Sequence, residues 1–263
     1  MRRNLRVIAT MLKLRLTRYT ADPASFWSGF LVDSAVFGLQ AAIFLVIYRE
    51  ADSINGWDRW RTLFFVGTFM LLDGIWMSLF FFGVIGIPDA IRTGRLELYL
   101  AKPADPLACL SFEKADPGSA LVVLPALALL AASARAAGLR AGPAEIGAYL
   151  LALGLMLVLM YDLMVLARTL AFWLGRTGGL QEAEGALVEF GFRLPGKALR
   201  GPWKILFRAI LPYGLIASFP AEACFGEAGP LTWLAAIGTA AAFTLLTRLA
   251  WKAGLRRYAG SGS

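Results

Sequence analysis

Residues 92–107 read "RTGRLELYLAKPADPL". Gly94 sits inside a helix-like stretch, Lys102-Pro103 stops it, and Pro106 follows three residues later. The stretch carries three basic and two acidic residues, yet long apolar runs lie on both sides. Extended backwards to "PDAIRTGRLELYL", it places Pro88 at the start of a helix and Asp89 in its first turn, both favourable helix-start features. A short helix is therefore expected over 88–100, ending before "KPADP".

Composition puts those runs in a membrane. The 263 residues are 58% hydrophobic, with a mean hydropathy of +0.63. An ordinary soluble domain is about half apolar. Crossing a bilayer takes about 20 apolar residues. Six stretches qualify: Phe26–Tyr48, Thr62–Ile87, Ala120–Ala137, Ile146–Trp173, Ile205–Phe219 and Leu231–Trp251. The third is Ala-rich, and the fifth is short and contains Pro212. The expected fold is all-α and polytopic: six transmembrane helices in a single domain over 1–263. In the N-terminal segment 1–22, Leu5, Ile8, Leu12 and Leu16 recur at three- and four-residue steps while Arg2, Arg6, Lys13 and Arg18 fall largely elsewhere. That pattern reads as an amphipathic helix lying in the interface, broken by Asp22-Pro23. Its scattered charges do not match a cleavable signal peptide.

Lys and Arg orient the spans. Residues 1–20 hold six, 88–118 four, 176–208 six, and the tail from Arg248 four. The alternate loops hold Arg49, Arg59, Arg61, Arg135 and Arg140. Twenty against five places both termini, the 88–100 helix and the 176–204 loop in the cytoplasm. The acidic loop "PAEACFGEAGP" then faces outward. The net charge of +8 is spread along the inner rim of the spans. That distribution suits an anionic bilayer surface and leaves no aromatic-interleaved basic patch for nucleic acid.

Several chemistries are missing. There is no His, which removes His-based triads, His-ligated haem and most catalytic zinc sites. Cys109 and Cys224 fall on opposite sides of the membrane and cannot pair. No GxxxxGK[ST] occurs, so the chain has no P-loop. Any energy-driven work uses energy supplied by another chain. No catalytic residue, metal ligand or bound cofactor is assigned.

Charges inside the spans are the remaining polar candidates. Asp73 and Asp162 fall near mid-span, Asp33 about a third of the way into the first span, and Arg168 toward the inner end of the fourth, where it could snorkel. A charge at bilayer centre costs at least ~2.5–3.5 kcal/mol, so each should face protein or water. Asp73 and Asp162 either line a translocation path, suited to a cation, or are carboxyls bonded to backbone or hydroxyls of a neighbouring span.

The ordered motifs resemble a known family. "RTGRLELYLAKPADPL", "LLDGIWMSLFFFG" before it, "LVEFGFRLPGKAL" followed by "ILPYGLIASFPAEACFG", and the C-terminal "WKAGLRRYAGSGS" are similar to segments of the compact six-span permeases of type-2 ATP-binding-cassette (ABC) transporters. The matches run in the family's order from the second span to the last residue. Two positions depart from the family pattern: Ala101-Lys102-Pro103 stands where Leu-Arg-Pro is usual, and Leu194 replaces an aromatic before Pro195. The resemblance implies a permease, most simply an exporter, in a bacterial cytoplasmic (inner) membrane. It implies a second permease, identical or related, and nucleotide-binding ATPase subunits that carry the ATP and Mg. It makes 88–100 the coupling helix, with Pro88, Asp89, Arg92, Gly94, Arg95, Glu97, Lys102 and Pro103 at the docking contact. The competing readings are an integral membrane enzyme acting on lipid and a membrane anchor for a cytoplasmic complex.

Overall fold

Where water is absent every backbone amide must find an internal partner, and a chain this apolar meets that demand with helices. The computed structural model describes residues 23–50, 57–174, 178–193 and 211–260, with Thr10, Ser53 and Phe207 besides. The expected interfacial helix over 1–22 lies outside the described residues, apart from Thr10.

The first helix, α1, is Pro23–Glu50. The second, α2, is Arg59–Trp76; the Asp58 side chain caps it by accepting from the backbone N–H of Trp60 and Arg61. A π-helical turn, Met77–Phe81, leads into the short α3, Phe82–Val84. Three short helices follow: α4 (Ile87–Arg92), α5 (Leu96–Leu100) and α6 (Pro106–Glu113). A 3₁₀ turn, Ser119–Val122, starts α7 (Val123–Ala136). Next come α8 (Pro143–Thr169), the four-residue α9 (Ala171–Leu174) and α10 (Gly178–Arg193). The chain ends in a 3₁₀ turn at Pro212–Leu215, α11 (Ser218–Cys224) and the 31-residue α12 (Pro230–Gly260). No strand occurs among the described residues.

Among the described residues, five stretches are long and apolar enough to span a bilayer: Phe30–Glu50, Arg59–Arg92, Ser119–Ala136, Pro143–Leu174 and Pro230–Tyr258. They match five of the six expected. For the stretch Ile205–Phe219, the described residues are Phe207, which is buried, and those from Leu211 on, which form a 3₁₀ turn followed by the start of α11. Pro212 has no amide N–H to continue a helix through its position, and it starts the 3₁₀ turn instead. Residues 212–224 are nonetheless buried throughout, the turn packing against α10, and α11 against α8 and α2. Irregular backbone at membrane depth is tolerated in such protein-covered positions.

The helix α2 is the structural axis, packed by α7 and α1, while α8 is flanked by α12 and α11. Glycines set two of the closest approaches. At Gly67 a β-carbon would lie 3.0 Å from Leu130 Cγ of α7. At Gly83 it would lie 2.0 Å from the Ser111 carbonyl oxygen and 2.4 Å from that of Leu110, so α3 and α6 meet backbone to backbone. The outward faces carry large exposed apolar side chains, among them Leu31, Val36, Leu39 and Ile43 on α1 and Leu231, Leu234, Leu245 and Leu249 on α12. In a membrane such faces are covered by lipid or by another protein.

A polar and aromatic cluster closes the Asp58 end of the bundle. Arg61 forms an ion pair with Glu227, and its guanidinium lies 5.1 Å from the centre of the Phe225 ring. The Tyr48 hydroxyl donates to the Trp57 carbonyl at 2.9 Å and lies 2.6 Å from the Thr62 hydroxyl. These contacts fasten α1, α2 and the turn before α12 to one another.

Candidate functional site

The charged stretch lies at the other end of the bundle, and its local structure departs from a single helix over 88–100. It is two short helices, α4 and α5, separated at Thr93–Gly94. Gly94 has φ +75°, a left-handed conformation that costs other residues roughly 1–2 kcal/mol. Nothing lies within 4 Å of where its β-carbon would be, so the glycine serves the bend and makes no close contact within the chain. Pro88 falls in the first turn of α4, where its missing N–H costs no helical hydrogen bond. Asp89 receives a 2.9 Å bond from Arg92 one turn on.

One side of this segment is fixed to the spans. Ile87, Ala90, Leu96 and Tyr99 are buried. The Tyr99 hydroxyl donates to the Glu113 carboxylate of α6, and the Lys102 ammonium sits 4.5 Å over the Tyr99 ring. Burial and that carboxylate push the Tyr99 hydroxyl up to about 12, so it stays a neutral donor throughout the physiological range. Asp105 caps α6 by accepting from the Ala108 N–H at 2.8 Å, and Pro106 occupies the first turn. The two prolines thus stop one helix and start the next. Cys109, on α6, is buried and its thiol is pushed up by desolvation.

The other side is open. Asp89, Arg92, Arg95, Glu97, Lys102 and Pro103 are all exposed. Leu98 and Leu100 lie among them, 65% and 42% exposed. Leucines flanked by charges of both signs on a rigid, Pro-bounded segment form a surface suited to a protein partner, with an apolar centre and a polar rim. Pro88 and Gly94 of the same stretch are half-buried.

Geometry ties this segment to three helices. Ser111 of α6 lies 2.9 Å from the Tyr161 hydroxyl of α8. The Asp116 N–H donates to the Ser78 carbonyl in the π turn at 2.9 Å, using backbone capacity that a π turn rearranges. The short α4 packs against α8 and α9. Sequence reasoning missed Gly83 and the π turn, although a glycine ending the run Phe80–Phe82 is the kind of small residue that marks close helix approach.

The mid-span carboxylates have different surroundings. Asp162 is 4% exposed on α8. The Thr244 hydroxyl of α12 donates to its carboxyl, and the Thr247 hydroxyl donates to its backbone carbonyl at 3.1 Å. Asp73 is half-buried on α2, one turn before the π turn. Arg168 does not snorkel to lipid: it is 5% exposed at the Arg92 end of α8, within electrostatic reach of Tyr213. The Asp33 side chain lies outside the described residues. The 176–204 stretch contains α10, and its remainder, with Pro195, is also outside them.

A family model described as ABC-2 family transporter protein matches residues 35–262. No curated protein and no solved structure matches the chain. The match takes in all five candidate spans, save the first residues of α1, and the whole charged segment. The chain belongs to the ABC-2 family of transporter proteins, and it is a multi-pass membrane protein.

Proposed function

We propose that the chain is the permease subunit of an ABC exporter, that it works with a second permease copy and two ATPase subunits, and that residues 88–103 form the docking contact for the ATPase. The observation that carries this reading is the two-sided segment: Ile87, Ala90, Leu96 and Tyr99 anchored among the spans, Leu98 and Leu100 presented outward among Arg92, Arg95, Glu97 and Lys102. ATP and Mg belong to the partner chain in this reading. Export is favoured because the loops at the Asp58 end are short in sequence, with little length from which to build a dock for a solute-binding protein. Copurification of the tagged chain from its own cells is the test: an ATPase carrying a P-loop should be retained, and a chain recovered without one would contradict the reading.

Both termini and residues 88–103 are assigned to the cytoplasmic side of a bacterial inner membrane, on the distribution of Lys and Arg. The native cysteines cannot report this, since Cys109 and Cys224 are both buried. In a background with both replaced by Ser, an impermeant maleimide should label Ala144→Cys in intact cells. It should label Lys102→Cys only after permeabilisation. The opposite pattern would invert the topology.

Asp162 is assigned as an interhelical fastener, because its carboxyl is taken by a hydroxyl of α12. Asp162→Asn keeps an acceptor oxygen for Thr244 and should preserve transport and lower stability by less than about 1 kcal/mol. Asp162→Leu removes it and should cost about 1–3 kcal/mol in thermal unfolding assays. Loss of transport in a normally stable Asn variant would instead place the charge on the substrate path.

A further inference from the structure

The Arg92 end holds an aromatic joint that the family match does not describe. Phe172 lies on α9, which packs against α4. Its ring meets Trp251 edge to face at 5.5 Å and Tyr258 at 6.2 Å, both on α12. Between them Gly254 leaves the ring its space: a β-carbon there would lie 2.2 Å from Cδ2 of Phe172 and 2.7 Å from Cε2 and Cγ. Arg257 completes the contact, its Nε donating to the Phe172 carbonyl at 3.1 Å. Residues 251, 254 and 258 follow the three-and-four spacing of a single helical face. The Tyr258 phenol is also within electrostatic reach of the Glu97 carboxylate on α5.

We propose that Phe172 and the Trp251–Gly254–Tyr258 face form a clamp that passes displacement of the 87–100 segment to α12, with these four residues acting as positioning residues for coupling. The physical reason is confinement. A ring held by two aromatic edges and by backbone beneath it cannot slide along α12 without opening the joint. The backbone bond from Arg257 adds a directional tie, so α9 and the end of α12 move as one body. Because α4 packs on α9, a push on the docking segment reaches α12 through this contact. This proposal rests on the docking reading above.

The test uses the full complex with its ATPase, in the Cys109→Ser, Cys224→Ser background. Spin labels at Ala144→Cys and Leu231→Cys report the Asp58 ends of α8 and α12; the probe is ATP trapped with vanadate. The parent complex should show a shift in the label-to-label distance on trapping. Phe172→Leu and Gly254→Ala should lose that shift while keeping the bound ATPase and its hydrolysis. A merely structural role would lower assembly and hydrolysis together. If Gly254→Ala fails to assemble, Tyr258→Leu, at the half-exposed end of the joint, carries the same expectation. An unaltered shift in Phe172→Leu and Tyr258→Leu, or no shift in the parent complex, overturns the clamp. Absence of the ATPase from the parent complex overturns the docking reading, and the clamp with it.

Discussion

Gly83→Ala should destabilise the protein by about 3 kcal/mol, at the upper end of the usual cost of overpacking. For a chain of this size that corresponds to a fall of roughly 6–12 °C in the unfolding midpoint. The atoms in the way are the carbonyl oxygens of Ser111 and Leu110, which belong to the backbone of α6 and cannot rotate aside. Relief requires α3 and α6 to separate. That would strain the Ser111–Tyr161 contact and the Asp116-to-Ser78 bond that hold the same corner. Gly83→Val should prevent accumulation of folded protein. Gly147→Ala is the control: nothing lies within 4 Å of its β-carbon position on the exposed side of α8, and alanine lowers the entropy lost on folding. Its midpoint should hold or rise slightly. Thermal unfolding followed by size exclusion in detergent reads all three, and equal midpoints for the alanine variants at 83 and 147 would refute the close approach.

The second large effect concerns the open face. Leu98→Asp should reduce retention of the partner ATPase by at least about tenfold, the loss expected when a central apolar anchor of an interface is replaced by a charge. Leu98 is 65% exposed, so the fold of the chain alone should be unaffected. Glu97→Lys should act in the same direction and less strongly, as rim charges do. Leu124→Asp, at an exposed position of the apolar α7, should impair insertion or stability and leave the stoichiometry of any assembled complex unchanged. Full ATPase retention by Leu98→Asp would move the contact elsewhere.

Much of this architecture is legible in one dimension because apolar length and charge are one-dimensional properties. Five of the spans and the prolines that bound the charged segment follow from them. What is not legible depends on contacts between distant residues. The importance of Gly83 comes from α6, more than twenty positions further on, and that of Gly254 from Phe172 on another helix. The stretch Ile205–Phe219 has a span's composition, but hydropathy cannot distinguish a lipid-facing helix from a buried segment such as the 3₁₀ turn Pro212–Leu215. Gly94 was visible as a glycine in a helix-like run. Its positive φ, which divides the run into α4 and α5, is a property of the folded backbone. Asp162 is legible as an expensive charge, whereas the hydroxyl that donates to it comes from Thr244, on a helix packed beside it only in the fold.

The docking of an ATPase on residues 88–103 is tested most directly by photo-crosslinking in cells. A photoreactive residue placed at Leu98 should yield a crosslink to a P-loop ATPase, and the same residue at Ala228, in the turn before α12, should yield none. A crosslink to the ATPase from Ala228 and none from Leu98 would contradict both the contact and the orientation of the chain.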